Sequence, residues 1–230
     1  MSPAGRIALA AVVDDANSSV RARSRAALRD ALPALRLRFE SDWLEPLQAG
    51  EPRWTALLRR TECAFDIAVS LRETVWPARV RVAVASIEAT RDAAGEAAER
   101  AHIKAARLLD EDRDAGWFRI GLRGRGAADC AMAEACARLH GVLTSEWTAA
   151  RSAAVRTYRA LGRQAAVARQ LGITQQAVSQ KLHGARFQDL LATEEALRTW
   201  LREAGRSGLW AIGATGRASG SLIASLGAAE

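Results

Sequence analysis

Cysteine is scarce in this chain of 230 residues: only Cys63, Cys130 and Cys136 are present, with no CxxC spacing. An odd, unpaired set excludes a disulfide framework and makes a reducing interior the default, so a cytoplasmic location is expected. Histidine is as rare. His102, His140 and His183 each fall in a helical pattern, and no Ser-His-Asp or Cys-His arrangement can be drawn from them. Cys136 and His140 lie at i and i+4, as two ligands on one helix would, but no second pair follows and no metal site is expected. Long apolar runs are missing too. Ile7 to Val13 is too short for a membrane span and ends at Asp14 and Asp15 rather than at a cleavage site, while Leu209 to Leu226 is broken by Arg217 and several glycines. No membrane contact is expected.

Lysine is nearly absent, since Lys104 and Lys181 stand alone among 33 basic side chains. With the abundant alanine this points to a GC-rich genome, so the number of arginines carries no functional message. Their distribution does. Residues 151 to 206 hold ten basic side chains against four acidic ones, a net of +6, whereas residues 1 to 150 hold 22 against 21. Almost all of the formal +7 therefore belongs to one segment. Such asymmetry suits a phosphate-binding surface, because sequence-independent DNA affinity comes mainly from neutralised phosphates and released counterions. A hydrophobic content of 49% is ample for a globular core.

The basic segment contains residues 163 to 183, RQAAVARQLGITQQAVSQKLH, which read as two short helices joined by a tight turn. Val167, Ala168 and Leu171 share one face of the first helix. Gly172 can take positive φ at almost no steric cost and ends that helix. Ile173 plugs the turn, and Thr174 has the hydroxyl of an N-cap. On the second helix Val178 and Leu182 point one way, and Gln176, Ser179, Gln180 and His183 broadly the other. With Gln164 opening it, Ala168 at the close contact, Gly172 in the turn and Val178 in the core, the stretch resembles the bacterial helix-turn-helix. The outward face supports that resemblance. A solvated face is normally built from Glu, Lys and Arg, whereas amide side chains match base edges, Gln to adenine being bidentate. The plain alternative is a helical hairpin with a glycine turn.

In the first half, Ile7 to Val13 has the continuous apolar pattern of a strand buried on both faces. A helix is expected from about Val20 to Leu32, limited by Pro33, with Asn17, Ser18 and Ser19 as turn and cap. Leu35, Leu37 and Phe39 alternate with charged residues and suggest a strand; Trp43 to Leu47 is its partner or a connection. Arg53 to Val75 reads as one helix stopped by Pro77. Arg79 to Ile87 alternates as a strand, Arg91 to Asp110 is helical, and Trp117 to Leu122 is a short strand. Strands separated by helices predict an α/β layered domain, ferredoxin-like or palm-like, over residues 1–122. Gly121, Gly124 and Gly126 then mark a linker; the arginines among them admit a phosphate cradle, but the GxxxxGK[ST] order is lacking. An all-α helix-turn-helix domain is expected over 127–206. It comprises helices from Ala127 to Leu139 and from Glu146 to Leu161, the helical pair, and a last helix capped by Thr193 and Gly205 with Glu194 and Glu195 in its first turn. Residues 207–230 form a tail.

The run AVVDDANSS from Ala11 to Ser19, the glycine–acid turn at Gly50 and Glu51, the strand VRVAVAS and then GEAAERAHIKAARLL are similar in order and spacing to the SatD family. Members pair an α/β domain resembling the palm of nucleotide cyclases with, in many cases, a C-terminal helix-turn-helix. The resemblance implies that Asp14 or Asp15 could supply the first carboxylate of a two-metal site. At the second position the family's Gly-Asp-Glu-Phe-like turn reads Gly50, Glu51, Pro52, Arg53, with no Asp. Nucleotidyl chemistry is therefore expected to be lost. Asp14 and Asp15 are a strand-terminal turn capping the next helix, or else line a pocket for a small-molecule effector.

The reading that follows is a non-enzymatic, sequence-specific transcriptional regulator without a cofactor. Gln175, Gln176, Ser179, Gln180 and His183 would reach base edges, Thr174 would open the reading helix, and Arg163, Gln164, Arg169, Lys181 and Arg186 would hold phosphates. One such module contacts about half a turn of duplex, so a homodimer on double-stranded DNA is expected. The alternative is a nucleotide-handling enzyme with a helical appendage, which predicts divalent-metal binding through Asp14 and Asp15.

Overall fold

A computed structural model describes residues 6–15, 17–50, 53–87, 94–111 and 116–214, with the backbone alone for 94 and 206–214. The first half runs β1 (Arg6–Val13), α1 (Ser18–Arg38), β2 (Trp43–Ala49), β3 (Trp54–Leu58), α2 (Cys63–Val75), β4 (Val80–Ile87), α3 (Ala94–Glu111) and β5 (Phe118–Gly121). The strands form a mixed sheet in the order β2-β3-β1-β4-β5, antiparallel except for the β4–β5 pair. The units β1–α1–β2 and β3–α2–β4 thus interleave, each leaving room for a strand of the other.

Alternation along the strands decides which layer each side chain joins. Leu9, Ala11 and Val13 of β1 and Val80, Val82 and Val84 of β4 face α1 and α2, in a core with Trp54, Phe65 and Phe118. Ala8, Ala10, Ala83 and Ala85 face the other way, against Ala101, Ala105 and Leu109 of α3. The central strands β1 and β4 are buried on both faces, as the apolar run of β1 requires, whereas the edge strand β2 is largely exposed.

Four helices follow on the first-half scaffold: α4 (Ala127–Ser145), α5 (Ala149–Leu161), α6 (Gln164–Leu171) and α7 (Gln175–Gly184), after which α8 (Phe187–Ala214) runs back to the sheet. Cys130, Ala133 and Ala137 of α4 and Leu197, Leu201 and Ala204 of α8 lie in the core beneath the sheet. A second core belongs to α5, α6, α7 and the start of α8, built from Trp147, Val155, Val167, Ala168, Val178, Leu182, Phe187 and Leu190. Two close approaches lock α4 in place. A Cβ at Gly141 would come within 2.6 Å of the Trp117 indole nitrogen, and Trp117 donates to the Ala137 carbonyl at 2.5 Å.

Three local expectations are corrected. Pro33 lies inside α1, which continues to Arg38, so Leu35 to Arg38 is helix rather than strand and Phe39 is its C-cap. Its core positions Leu28, Leu32, Leu35 and Phe39 keep helical spacing, Leu37 is 73% exposed, and burial of that stripe outweighs the hydrogen bond lost to proline. Residues 53 to 75 divide into β3 and α2, because Trp54, Ala56 and Leu58 fill the sheet core between β2 and β1. Thr193 is interior to α8, where its hydroxyl donates to the Asp189 carbonyl at 2.9 Å; the helix starts six residues earlier, at Phe187.

Candidate nucleic-acid interface

The helical pair is assembled from local signals. The Thr148 hydroxyl accepts from the Arg151 amide and starts α5, which Gly162 ends at φ 69°. After α6, Gly172 takes φ 65°, its amide bonds the Arg169 carbonyl, and the Ile173 amide reaches the Ala168 carbonyl at 3.1 Å. This crossed pair is the Schellman arrangement, which satisfies the last carbonyls of the helix and turns the chain. Ile173 packs on the second core, as such a turn favours. The Thr174 hydroxyl then accepts from the Ala177 amide at 3.1 Å and caps α7.

Val178 and Leu182 anchor α7 on Val167 and Ala168 of α6 and Val155 of α5. Trp147 fixes its far end, donating from the indole nitrogen to the Ala185 carbonyl at 3.2 Å. With that face buried, Thr174, Gln175, Gln176, Ser179, Gln180 and His183 are left exposed, and Lys181 is half-buried. Around them Arg163, Arg169 and Arg186 are exposed and Gln164 is half-buried. Arg186 sits at φ 54°, in the left-handed region, where the chain swings from α7 into α8. A cleft of about 420 Å³ borders the face, lined by Gln164, Ser179, His183 and Arg186 together with Tyr158 and Gln188. Tyr158 and Gln188 were not legible as part of this surface, because only the path of α5 and α8 brings them to it.

Asp14 and Asp15 are engaged elsewhere. Asp14 pairs with Arg81 at 2.8 Å, and that buried guanidinium also donates to the Leu109 carbonyl. Asp15 accepts from the Asn17 amide at 2.9 Å, and Asn17, not an aspartate, caps α1 by accepting from the Ser19 and Val20 amides. Glu51 and Pro52 of the glycine–acid turn lie outside the described residues. Among the described residues no group of three or more His, Cys, Asp or Glu side chains comes together as a metal site. Cys136 is exposed, whereas His140 points into the core.

Behind the helical pair lies an ionic chain that the sequence did not disclose. Glu194 of α8, 2% exposed, accepts from His140 Nε2 at 3.0 Å and from Arg159 at 2.6 and 3.0 Å. Arg159 also donates to Glu73 of α2 at 2.8 Å. Burial alone would raise the Glu194 carboxyl, but the hydrogen bonds from His140 and Arg159 outweigh it and hold it at about 2. Burial pushes His140 below its ordinary value, so it is neutral at pH 7 and donates through Nε2. Beside the chain Arg72 donates to the Gly141 carbonyl at 2.9 Å and lies 4.8 Å over the Trp117 ring; burial lowers its guanidinium to about 10. The four elements α2, α4, α5 and α8 are thereby tied together through side chains far apart in sequence.

The chain matches no protein-family model and no curated protein. Among solved structures it is similar to the regulator of polyketide synthase expression from Bifidobacterium adolescentis, at 15% identity over 85% of each chain and a TM-score of 0.26. A likeness so slight carries neither fold nor function across. No helix among the described residues is long and apolar enough to cross a membrane.

Proposed function

We propose that the protein is a sequence-specific DNA-binding transcriptional regulator in which α6 and α7 form a helix-turn-helix and α7 enters the major groove. One observation carries the reading: α7 buries Val178 and Leu182 and presents Gln175, Gln176, Ser179, Gln180 and His183 to solvent. Amides offer donor and acceptor in one plane, which matches adenine, while the exposed Arg163, Arg169 and Arg186 of the same helical region supply cations for phosphates. Lys181 and Gln164 add to that cradle.

The first half serves this module as a scaffold rather than a catalyst. Its β1–α1–β2–β3–α2–β4 order, with strands β2-β3-β1-β4 side by side, supports the ferredoxin-like, palm-like reading and with it the SatD resemblance. A carboxylate already neutralised by a guanidinium, as Asp14 is by Arg81, is a poor magnesium ligand. The working unit is a cytoplasmic homodimer on two half-sites, since one module supplies too little contact for nanomolar binding.

Selection of bound fragments from random duplex DNA, followed by footprinting, tests the reading and should return an inverted repeat with centres about ten base pairs, or a multiple, apart. Gln176→Ala should change the preference among sites, and Arg169→Ala should weaken all sites alike and reduce the salt slope by about 1. Failure to bind duplex at low ionic strength would remove the proposal.

A further inference from the structure

A second cleft, of about 390 Å³, shares no lining residue with the one beside the glutamine face. It lies between the end of α1, which supplies Leu35 and Arg38, the middle of α2, which supplies Ser70, Glu73 and Thr74, and α5, which supplies Arg156 and Arg159. Arg159 is answered by Glu73 and Glu194. Among the described residues no carboxylate stands at ion-pair distance from Arg38 or Arg156, although Arg38 lies 5.2 Å over the Phe39 ring and its charge acts on the Glu73 carboxylate across the cleft. Three arginines and one carboxylate, from separate halves of the chain, thus line one recess.

The neutral groups narrow the ligand further. The Ser70 hydroxyl donates to the Asp66 carbonyl and the Thr74 hydroxyl to the Ser70 carbonyl, both at 2.8 Å. With their hydrogens committed to the helix, these oxygens can only accept. The buried Glu73 carboxylate accepts as well. The lining therefore offers an excess of guanidinium charge, three arginines against Glu73, toward an oxyanion and a row of acceptors toward hydroxyl groups, in a volume several times that of a bare oxyanion. Guanidiniums grip phosphate through paired hydrogen bonds, and 300–1,000 Å³ is the usual range, of about that order, for a small-molecule site.

We propose that this cleft, between Arg38 of α1 and Arg156 of α5, binds a small hydroxylated phosphate monoester of the sugar-phosphate class. Bound there, the ligand bridges α5 to α1 and α2, so it stiffens the junction between the sheet and the helices that follow it. Binding itself does not depend on the DNA-binding reading.

Thermal unfolding of the full chain without DNA provides the test, with glucose 6-phosphate, inorganic phosphate and glucose as probes at matched ionic strength. Glucose 6-phosphate should raise Tm saturably, by about 5 °C at a hundredfold excess over Kd, inorganic phosphate less, and glucose not at all. Arg156→Ala and Arg38→Ala, both exposed positions, should fold normally and lose at least about tenfold in affinity by calorimetric titration. An equal rise with glucose, a rise reproduced by sodium chloride alone, or undiminished affinity in both variants would overturn the proposal. Loss of DNA binding with the Tm response intact would instead count only against the function proposed above.

Discussion

The two cores of this protein differ in what they do with charge. Around the sheet, arginines are matched with carboxylates: Arg81 with Asp14, Arg119 with Glu134, Arg198 with Asp66 and Arg53 with Asp110. Around the smaller core of α5, α6 and α7, Arg163, Arg169 and Arg186 are exposed and carry no such pair among the described residues. The first region uses charge to hold elements together, as Arg159 of α5 also does, whereas these three arginines of the second leave theirs facing outward. Of the basic side chains behind the net +6 in residues 151 to 206, Arg159 and Arg198 are answered by Glu73 and Asp66 of the first half, whereas Arg163, Arg169 and Arg186 face outward.

That contrast can be broken experimentally, and the largest effect should come from the sheet core. Phe65 is fully buried and packs edge-on against Phe118 and at 5.5 Å from Trp117. Phe65→Ala should cost about 3–5 kcal/mol in denaturant unfolding, through lost burial and a residual cavity. A loss under about 1 kcal/mol would mean that the sheet core is not the stable part of the molecule.

The ionic chain should come next and should betray itself through pH. Glu194 has a folded value of about 2, below that of an unfolded glutamate. Its contribution is therefore complete above pH of about 4.5 and is lost as the pH falls toward 2. Glu194→Gln should be less stable than the parent at pH 6 by an amount on the order of 3 kcal/mol, and the gap should close on acidification. His140 acts in the same direction at higher pH. Because burial lowers its folded value, the unfolded chain binds the proton first, and stability should begin to fall below pH of about 6.5. In His140→Gln that early fall should be smaller; an unchanged profile would separate His140 from the chain.

Smaller effects should sharpen the comparison on the helical side. Gly172→Ala forces a side chain into φ 65° and should cost about 1 kcal/mol, read by unfolding of the full chain. Gln176→Ala, on an exposed position that packs against nothing named here, should change stability by less than about 0.5 kcal/mol. If Gln176 behaved like Gly172, its side chain would have a structural job and the reading face would need to be redrawn.

Legibility in the sequence followed the range of the interactions. The α6–α7 pair could be read residue by residue, since Gly172, Thr174 and the Val178–Leu182 spacing act within a few positions of themselves. β1 and β4 were readable from apolar runs and alternation. The segment after Pro33 was not, because its alternating leucines mimic a strand while Arg36, through two hydrogen bonds to the Leu47 carbonyl, binds the helix to β2. β3 was hidden for a related reason: its apolar residues fit helix and strand alike, and only pairing with β1 and β2 on either side decides between them. Glu194 looked like a dipole-complementing first-turn residue, yet its partners stand 35 and 54 positions away.

By itself, the sequence determined the turn at Gly172, the cap at Thr174, the amide-rich face of α7 and the concentration of positive charge around it, because each depends on neighbours or on simple composition. Tertiary structure alone decided that α8 would carry Glu194 into contact with His140 and Arg159, that Asp14 would be neutralised by Arg81, and that Arg38 and Arg156 would meet across one cleft. Those outcomes rest on contacts between elements distant in the chain, and no periodicity or local preference encodes which distant side chains will share a burial site.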